Sequence, residues 1–169
     1  MALKELHKQF LEYLEIERNR SLKTVENYDR YLRRFFNFAH VVDPKDIDDE
    51  LVRKYRLYLN RLGEESGKTL KKQTQGYHLI ALRNFLKYLA KRGIKTLAAD
   101  RIELGKTPSR QVEFLDGEEL NRLLDSASGK NLKNLRDKAI LELLFSTGLR
   151  VSELCSLNRD SVNLKRDEF

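Results

Sequence analysis

The sequence predicts a mainly α protein in two parts: a four-helix bundle over residues 1–92, then a linker over 93–113, then the first helices of a mixed α/β unit over 114–169. Three observations carry this. Apolar residues recur at three- and four-residue spacing through most of the first part, the signature of amphipathic helices. That periodicity fades after Gly93, where Gly105, Lys106, Thr107, Pro108, Ser109 and Arg110 stand together, a composition typical of interdomain segments. It resumes at Phe114 with a fresh helix-start signal.

In order along the chain, Leu3, Leu6, Phe10, Tyr13, Leu14 and Ile16 define a first helix of about Leu3 to Arg18. Asn19-Arg20-Ser21 breaks it, and Ser21 is placed to cap a second helix whose apolar side is Val25, Tyr28, Leu32, Phe35, Phe36 and Ala39. Asp43-Pro44 marks a connection. A third helix runs from about Asp48 to Arg61, with Leu51, Tyr55, Tyr58, Leu59 and Leu62 as its apolar side. Gly63 and Gly67 bracket the next loop, and Thr69 is expected to cap a fourth helix through Lys91 that stops at Gly93. Its apolar positions, Leu79, Leu82, Leu86 and Leu89 with Tyr77, Ala81, Phe85 and Tyr88, are broad enough to be gripped on two sides.

In the second part Asp116 followed by Glu118-Glu119 is an N-terminal helix signal. Helices are expected at 117–127 and 133–146, and a short one from Arg150. Asp160-Ser-Val-Asn-Leu164 reads as a strand, Lys165-Arg-Asp167 as a turn, and Phe169 as the start of a returning strand.

Composition narrows the function classes. No apolar run approaches membrane-span length and the amphipathic N-terminus lacks a signal-peptide core, so a cytoplasmic location is expected. The lone Cys155 has no internal disulfide partner and reads as a small packing residue. His7, His40 and His78 match no metal spacing, and no phosphate-cradling glycine loop is present, so neither metal nor cofactor is expected. The net charge of +7 is unevenly spread. Residues 1–92 hold 20 Lys+Arg against 13 Asp+Glu, whereas residues 113–169 hold 9 against 11. From Ser66 to Ala99 there are eight cations and no acid, which favours a polyanionic partner over a merely solvated face, since solvated faces mix signs.

Two polar stripes concentrate that charge. The second helix offers Lys23, Thr24, Asn27, Arg30 and Arg34, and the fourth offers Lys71, Lys72, Thr74, Gln75 and His78, with Arg83 further along. Lys and Arg neutralise phosphates, while Asn and Gln can reach base edges in a major groove. Each stripe alone is equally compatible with an exposed helix face. Near the C-terminus, Thr147-Gly148-Leu149-Arg150 sets an arginine at the mouth of a helix behind a glycine turn, with Glu153 three residues on. An arginine fork can hold two phosphate oxygens, and a carboxylate at i+3 can orient it; a surface ion pair is the plain alternative.

These segments carry a resemblance. Phe145-Ser-Thr-Gly-Leu-Arg-Val-Ser-Glu-Leu154 resembles the first catalytic-arginine motif of the tyrosine recombinase (phage integrase) family, Xer-like members in particular. Arg18-Asn-Arg-Ser-Leu-Lys-Thr-Val-Glu-Asn-Tyr28 is similar to the family's opening motif, and Thr74-Gln-Gly-Tyr-His-Leu-Ile-Ala-Leu-Arg-Asn-Phe85 to its fourth-helix motif, although Gly76 and Tyr77 replace the usual Asn-Arg. The resemblance spans essentially the whole chain. It implies a SAM-like core-binding domain that clamps double-stranded DNA, other recombinase protomers as partners on that DNA, and nucleoid association. It further implies that Arg150 holds the scissile phosphate with Glu153 as its partner, in a reaction where a tyrosine attacks the phosphodiester without metal or ATP.

The family's lysine, its His-x-x-Arg box and its nucleophilic tyrosine have no counterpart here. Tyr13, Tyr28, Tyr31, Tyr55, Tyr58, Tyr77 and Tyr88 all fall in the bundle, on faces that suit core packing. The expectation is therefore the N-terminal portion of a recombinase, with an incomplete catalytic unit, that binds DNA without cutting it. A short non-catalytic DNA-binding regulator of recombination and a helical protein-interaction module stay open as alternatives.

Overall fold

The computed structural model describes residues 3–63, 67, 69–105, 113–158 and 160. Among them are seven α-helices and no strand: α1 (Leu3–Ile16), α2 (Leu22–Ala39), α3 (Asp49–Arg61), α4 (Lys72–Lys91), α5 (Gly117–Ser126), α6 (Leu132–Thr147) and α7 (Val151–Ser156). Short 3-10 turns stand at Pro44–Asp46 and Ala99–Arg101. The strand, turn and returning strand read over residues 160–169 lie outside the described residues, apart from Asp160. The chain divides into two compact units, Met1–Ser109 and Arg110–Phe169.

Local chemistry starts and stops the helices of the first unit. Ser21 accepts from the Thr24 N–H and Asp48 from the Leu51 N–H at 2.7 Å, each satisfying a first-turn amide that has no partner inside the helix. α1 stops at Ile16, two residues short of the expected Arg18, and Asn19 takes a left-handed backbone at φ 47° that turns the chain into α2. α4 begins at Lys72 rather than behind Thr69. Lys71 occupies the cap position and no side chain caps it.

The core gathers around α4, which packs against α1, α2 and α3. Leu6, Phe10, Leu32, Phe35, Tyr55, Leu59, Leu82, Phe85, Leu86 and Leu89 are buried, each apolar side chain contributing roughly 1.5–3 kcal/mol by leaving water. Aromatic rings knit the helices edge to face: Phe10 to Phe85 at 5.4 Å, Phe36 to Phe85 at 5.7 Å and Phe35 to Tyr55 at 5.0 Å between centroids.

Three sequence expectations are corrected here. Ile16 is exposed, because α1 ends there. Tyr77 is 43% exposed, and its neighbour His78 is buried in its stead, since His78 shares a face with Leu82 and Phe85. Residues 94–102, read as the start of the linker, belong to the first unit: Ile102 and Ala99 are buried in the core and Ile94 and Leu97 pack against it. Thr96 Oγ1 donates to the Pro44 carbonyl at 3.0 Å, and Arg101 pairs with Asp49 at 2.7 Å. The segment is not an α-helix apart from its short 3-10 turn, and its burial comes from long-range packing that spacing alone does not reveal.

In the second unit α5 starts with a full capping box: Asp116 accepts from the Glu119 N–H at 2.8 Å and Glu119 accepts from the Asp116 N–H at 3.1 Å. Asn131 caps α6 at 2.8 Å, one residue earlier than expected. No described residue of α5, α6 or α7 is buried. Cys155, read as a packing residue, is exposed, because the six-residue α7 has little of the described chain against it.

Candidate nucleic-acid interface

The pairing of α2 with α4 is the most extensive in the fold, and it brings the two polar stripes side by side. Arg34 of α2, half-buried, places Nη1 3.4 Å from Nε2 of His78 on α4. Tyr31 packs beside them, its ring 4.5 Å from that of His78 and 6.5 Å from that of Tyr77. Arg30 sits with its guanidinium 5.2 Å over the Tyr31 ring and donates to Asn27 Oδ1 at 2.9 Å. Further toward the N-terminus of α2, Lys23 is exposed and pairs with Glu26 at 2.8 Å, while the Thr24 hydroxyl is taken by Ser21 at 3.0 Å.

The fourth-helix set splits between two faces. Thr74 and His78 share one side of α4 by their helical spacing, and Lys71 is the exposed residue at its N-cap. Lys72 and Gln75 turn toward α3 instead: Lys72 Nζ donates to Asn60 Oδ1 at 2.7 Å, and Gln75 Nε2 donates to the Leu70 carbonyl at 2.8 Å. Those two line a different groove with Arg53, Arg56, Leu59 and Leu79, so the structure does not bring them to Arg30 and Arg34. Arg83 is half-buried with Nε shielded and without a hydrogen-bond partner among the described residues.

His78 is the largest departure from the sequence reading. It is 2% exposed, so its ring is not free to reach a ligand, and Nδ1 lies 3.1 Å from Tyr55 Oη in the core. Burial and the adjacent Arg34 guanidinium push its pKa down to about 4. Burial likewise raises the Tyr55 hydroxyl well above its ordinary value.

Sequence reasoning missed Arg33, Asn37 and His40, which line a cleft of about 720 Å³ with Arg30, Arg34, Asp29, Phe38 and Tyr58. Asn37 was findable: it continues the Asn27, Arg30, Arg34 stripe by one more step of three. Arg33 is drawn aside by Asp29 at 2.8 Å, and Asp29 in turn lies 3.3 Å from the buried His7.

In the second unit Gly148 ends α6 in the left-handed region at φ 66°, its N–H donating to Leu144 O at 3.0 Å, so the turn needs a residue tolerant of positive φ. Arg150 follows at the mouth of α7 with an 81% exposed side chain. Glu153 grips it twice, accepting from its backbone N–H at 2.8 Å and from Nη1 at 2.9 Å. Glu153 thereby orients a guanidinium that stays exposed.

Among the described residues no three His, Cys, Asp or Glu side chains gather where a metal could bind, and no helix is long and apolar enough to cross a membrane.

A helical bundle with a cationic α2–α4 pairing, followed by a unit that presents an arginine from a glycine turn, makes this a two-part protein that is helical throughout its described residues. The chain belongs to the phage integrase, or tyrosine recombinase, family: residues 7–93 match the description "Phage integrase, N-terminal SAM-like domain" and residues 113–169 match "Phage integrase family". It is 37% identical over 170 aligned residues to the tyrosine recombinase XerC of Pelobacter propionicus, covering 96% of this chain and 53% of that protein. To XerC of Bacillus pumilus it is 35% identical over 159 residues, covering 94% and 51%. A solved structure of XerA recombinase is 28% identical, with a TM-score of 0.47, covering 96% of this chain and 53% of that one. The chain spans about half the length of the curated relatives it matches.

Proposed function

We propose that this chain binds double-stranded DNA through the α2–α4 face of its first unit, as the core-binding part of a tyrosine recombinase acting in site-specific recombination. The observation that supports it best is the contact of α2 with α4 at Arg34 and His78, which sets Arg30, Tyr31, Arg34 and Asn37 of α2 beside Tyr77 of α4. Arginines and lysines there neutralise phosphates, and the amides of Asn27 and Asn37 and the hydroxyl of Thr74 can meet base edges. The residues from Gly105 to Glu113 join this unit to the second, in which Arg150, steadied by Glu153, holds a phosphate oxygen pair. No tyrosine follows Arg150 in this sequence, so the 169 residues taken alone bind DNA and form no covalent link to it. Other recombinase protomers and the nucleoid are the expected company of such a protein.

Duplex binding followed by fluorescence anisotropy over a range of salt tests this reading. Affinity should fall steeply with salt as neutralised phosphates release counterions. Replacing the exposed Lys71 with Ala should flatten the slope by roughly one unit, whereas Lys72→Ala, whose ammonium is turned to Asn60 of α3, should leave it near the starting value. Binding that is indifferent to salt would refute the reading and favour a protein-interaction module.

A further inference from the structure

Resting on that DNA-binding reading, we propose that His78 is a positioning residue of the interface: anchored in the core by Tyr55, it holds the Arg34 guanidinium toward the DNA without neutralising it.

Arginines in this fold are held either by carboxylates or by neutral acceptors, as Arg30 is by Asn27 and Arg92 by Tyr88. Arg33, Arg53, Arg101, Arg136 and Arg150 are each paired with a carboxylate at 2.6–2.9 Å. Arg34 has no carboxylate partner among the described residues. Its recorded partner is a neutral imidazole. A carboxylate steadies a guanidinium but cancels much of its field; a neutral acceptor steadies it and leaves the full charge for a phosphate. Of the five N–H donors on Arg34, the imidazole takes one, and the side chain borders the cleft shared with Arg30, Asn37 and His40.

The hydrogen-bond logic is directional. A guanidinium only donates, so Arg34 uses His78 Nε2 as an acceptor in the tautomer that keeps the proton on Nδ1, facing Tyr55 Oη, and the Tyr31 backbone hydrogen-bonds the same ring. Tyr55 is fully buried on α3, between Phe35 at 5.0 Å and Tyr58 at 6.1 Å, so the anchor cannot swing. The line Tyr55, His78, Arg34 thus runs from the middle of the bundle to its surface through three helices. The depressed pKa of His78 agrees with this, since protonating Nε2 would set a donor against a donor.

The closing experiment measures duplex affinity and its salt slope for the full chain and for Arg34→Ala, His78→Leu, His78→Gln and the Arg34→Ala/His78→Leu double variant. Gln presents an amide oxygen near the place of Nε2, whereas Leu fills the space and accepts nothing. Arg34→Ala and His78→Leu should each weaken binding roughly tenfold and flatten the slope by about one phosphate's worth. The double variant should be no weaker than either, because both remove the same contact. His78→Gln should restore most of the slope. Should His78→Leu fail to fold by circular dichroism, Tyr55→Phe removes only the anchoring hydroxyl and should weaken binding about two- to threefold with a flatter slope. A full slope in whichever of His78→Leu and Tyr55→Phe is folded, or losses in the double variant that simply add, would overturn the positioning role. Failure of the unaltered chain to bind duplex in a salt-dependent way would instead overturn the DNA-binding reading itself.

Discussion

The two units use the same local devices to different ends. Both start helices with well-formed caps, Ser21 and Asp48 in the first and Asp116 and Asn131 in the second. In the first unit the apolar faces close on one another, so that Leu32, Tyr55, Leu82, Phe85 and Leu89 are sealed from water. In the second, Leu132 is 84% exposed, Phe145 60% and Val151 67%. α6 also has apolar residues on more than one side, with Leu135, Ile140, Leu143 and Phe145 spread around its axis, a pattern proper to a helix surrounded by other elements. Capping and turn chemistry are therefore enough to set where a helix starts and stops, while burial decides whether a unit holds together.

The sharpest way to break that contrast is to remove one aromatic ring from each unit. Phe85→Ala should cost about 3–5 kcal/mol, because it empties the point where Phe10, Phe36 and Phe85 meet. Phe145→Ala should change stability by less than about 1 kcal/mol. Urea denaturation of the intact chain, following the first-unit tyrosines by fluorescence, measures the former, and helical signal the latter. Equal costs for the two would mean that the exposed faces of the second unit are covered in solution.

A smaller effect comes from pH. The chain's three histidines, His7, His40 and His78, all lie in the first unit, and burial lowers the pKa of His7 and of His78, the latter to about 4. The unfolded chain, with histidines near their ordinary value, then binds more protons than the folded one over the window between. Stability contributed by the neutral histidines is complete above the unfolded pKa and is lost as pH falls from about 6.5 toward 4. For His78 the loss from neutral pH to about pH 4.5 should be on the order of 2 kcal/mol, and His78→Gln should remove that part of the slope. Equal pH dependence in the variant would locate the proton uptake elsewhere.

Much of the fold was legible because helical periodicity and caps are local. The residues of α1 through α4 follow their apolar spacing to within a few positions, and Asp116 announces α5 through its own capping box. What local patterns could not show is which side of a broad helix meets which neighbour. α4 is apolar nearly all round its middle, so Tyr77 and His78 exchanged places, and Lys72 and Gln75 fell on the α3 side. Residues 94–102 were missed for a related reason: Ile102 is buried by long-range packing of a segment that is not an α-helix. At the candidate site, the cationic residue types were evident from charge alone. The hold of a core histidine on Arg34 depends on a contact between residues 44 positions apart and was visible only in three dimensions.

The most direct test of the central claim is amide hydrogen exchange of the full chain with and without duplex DNA. Added duplex should slow exchange in peptides covering residues 22–40 and 70–80, with little change over α5 and the first turns of α6. Protection that appears instead along α3, or only in the second unit, would contradict the placement of the interface on the α2–α4 face.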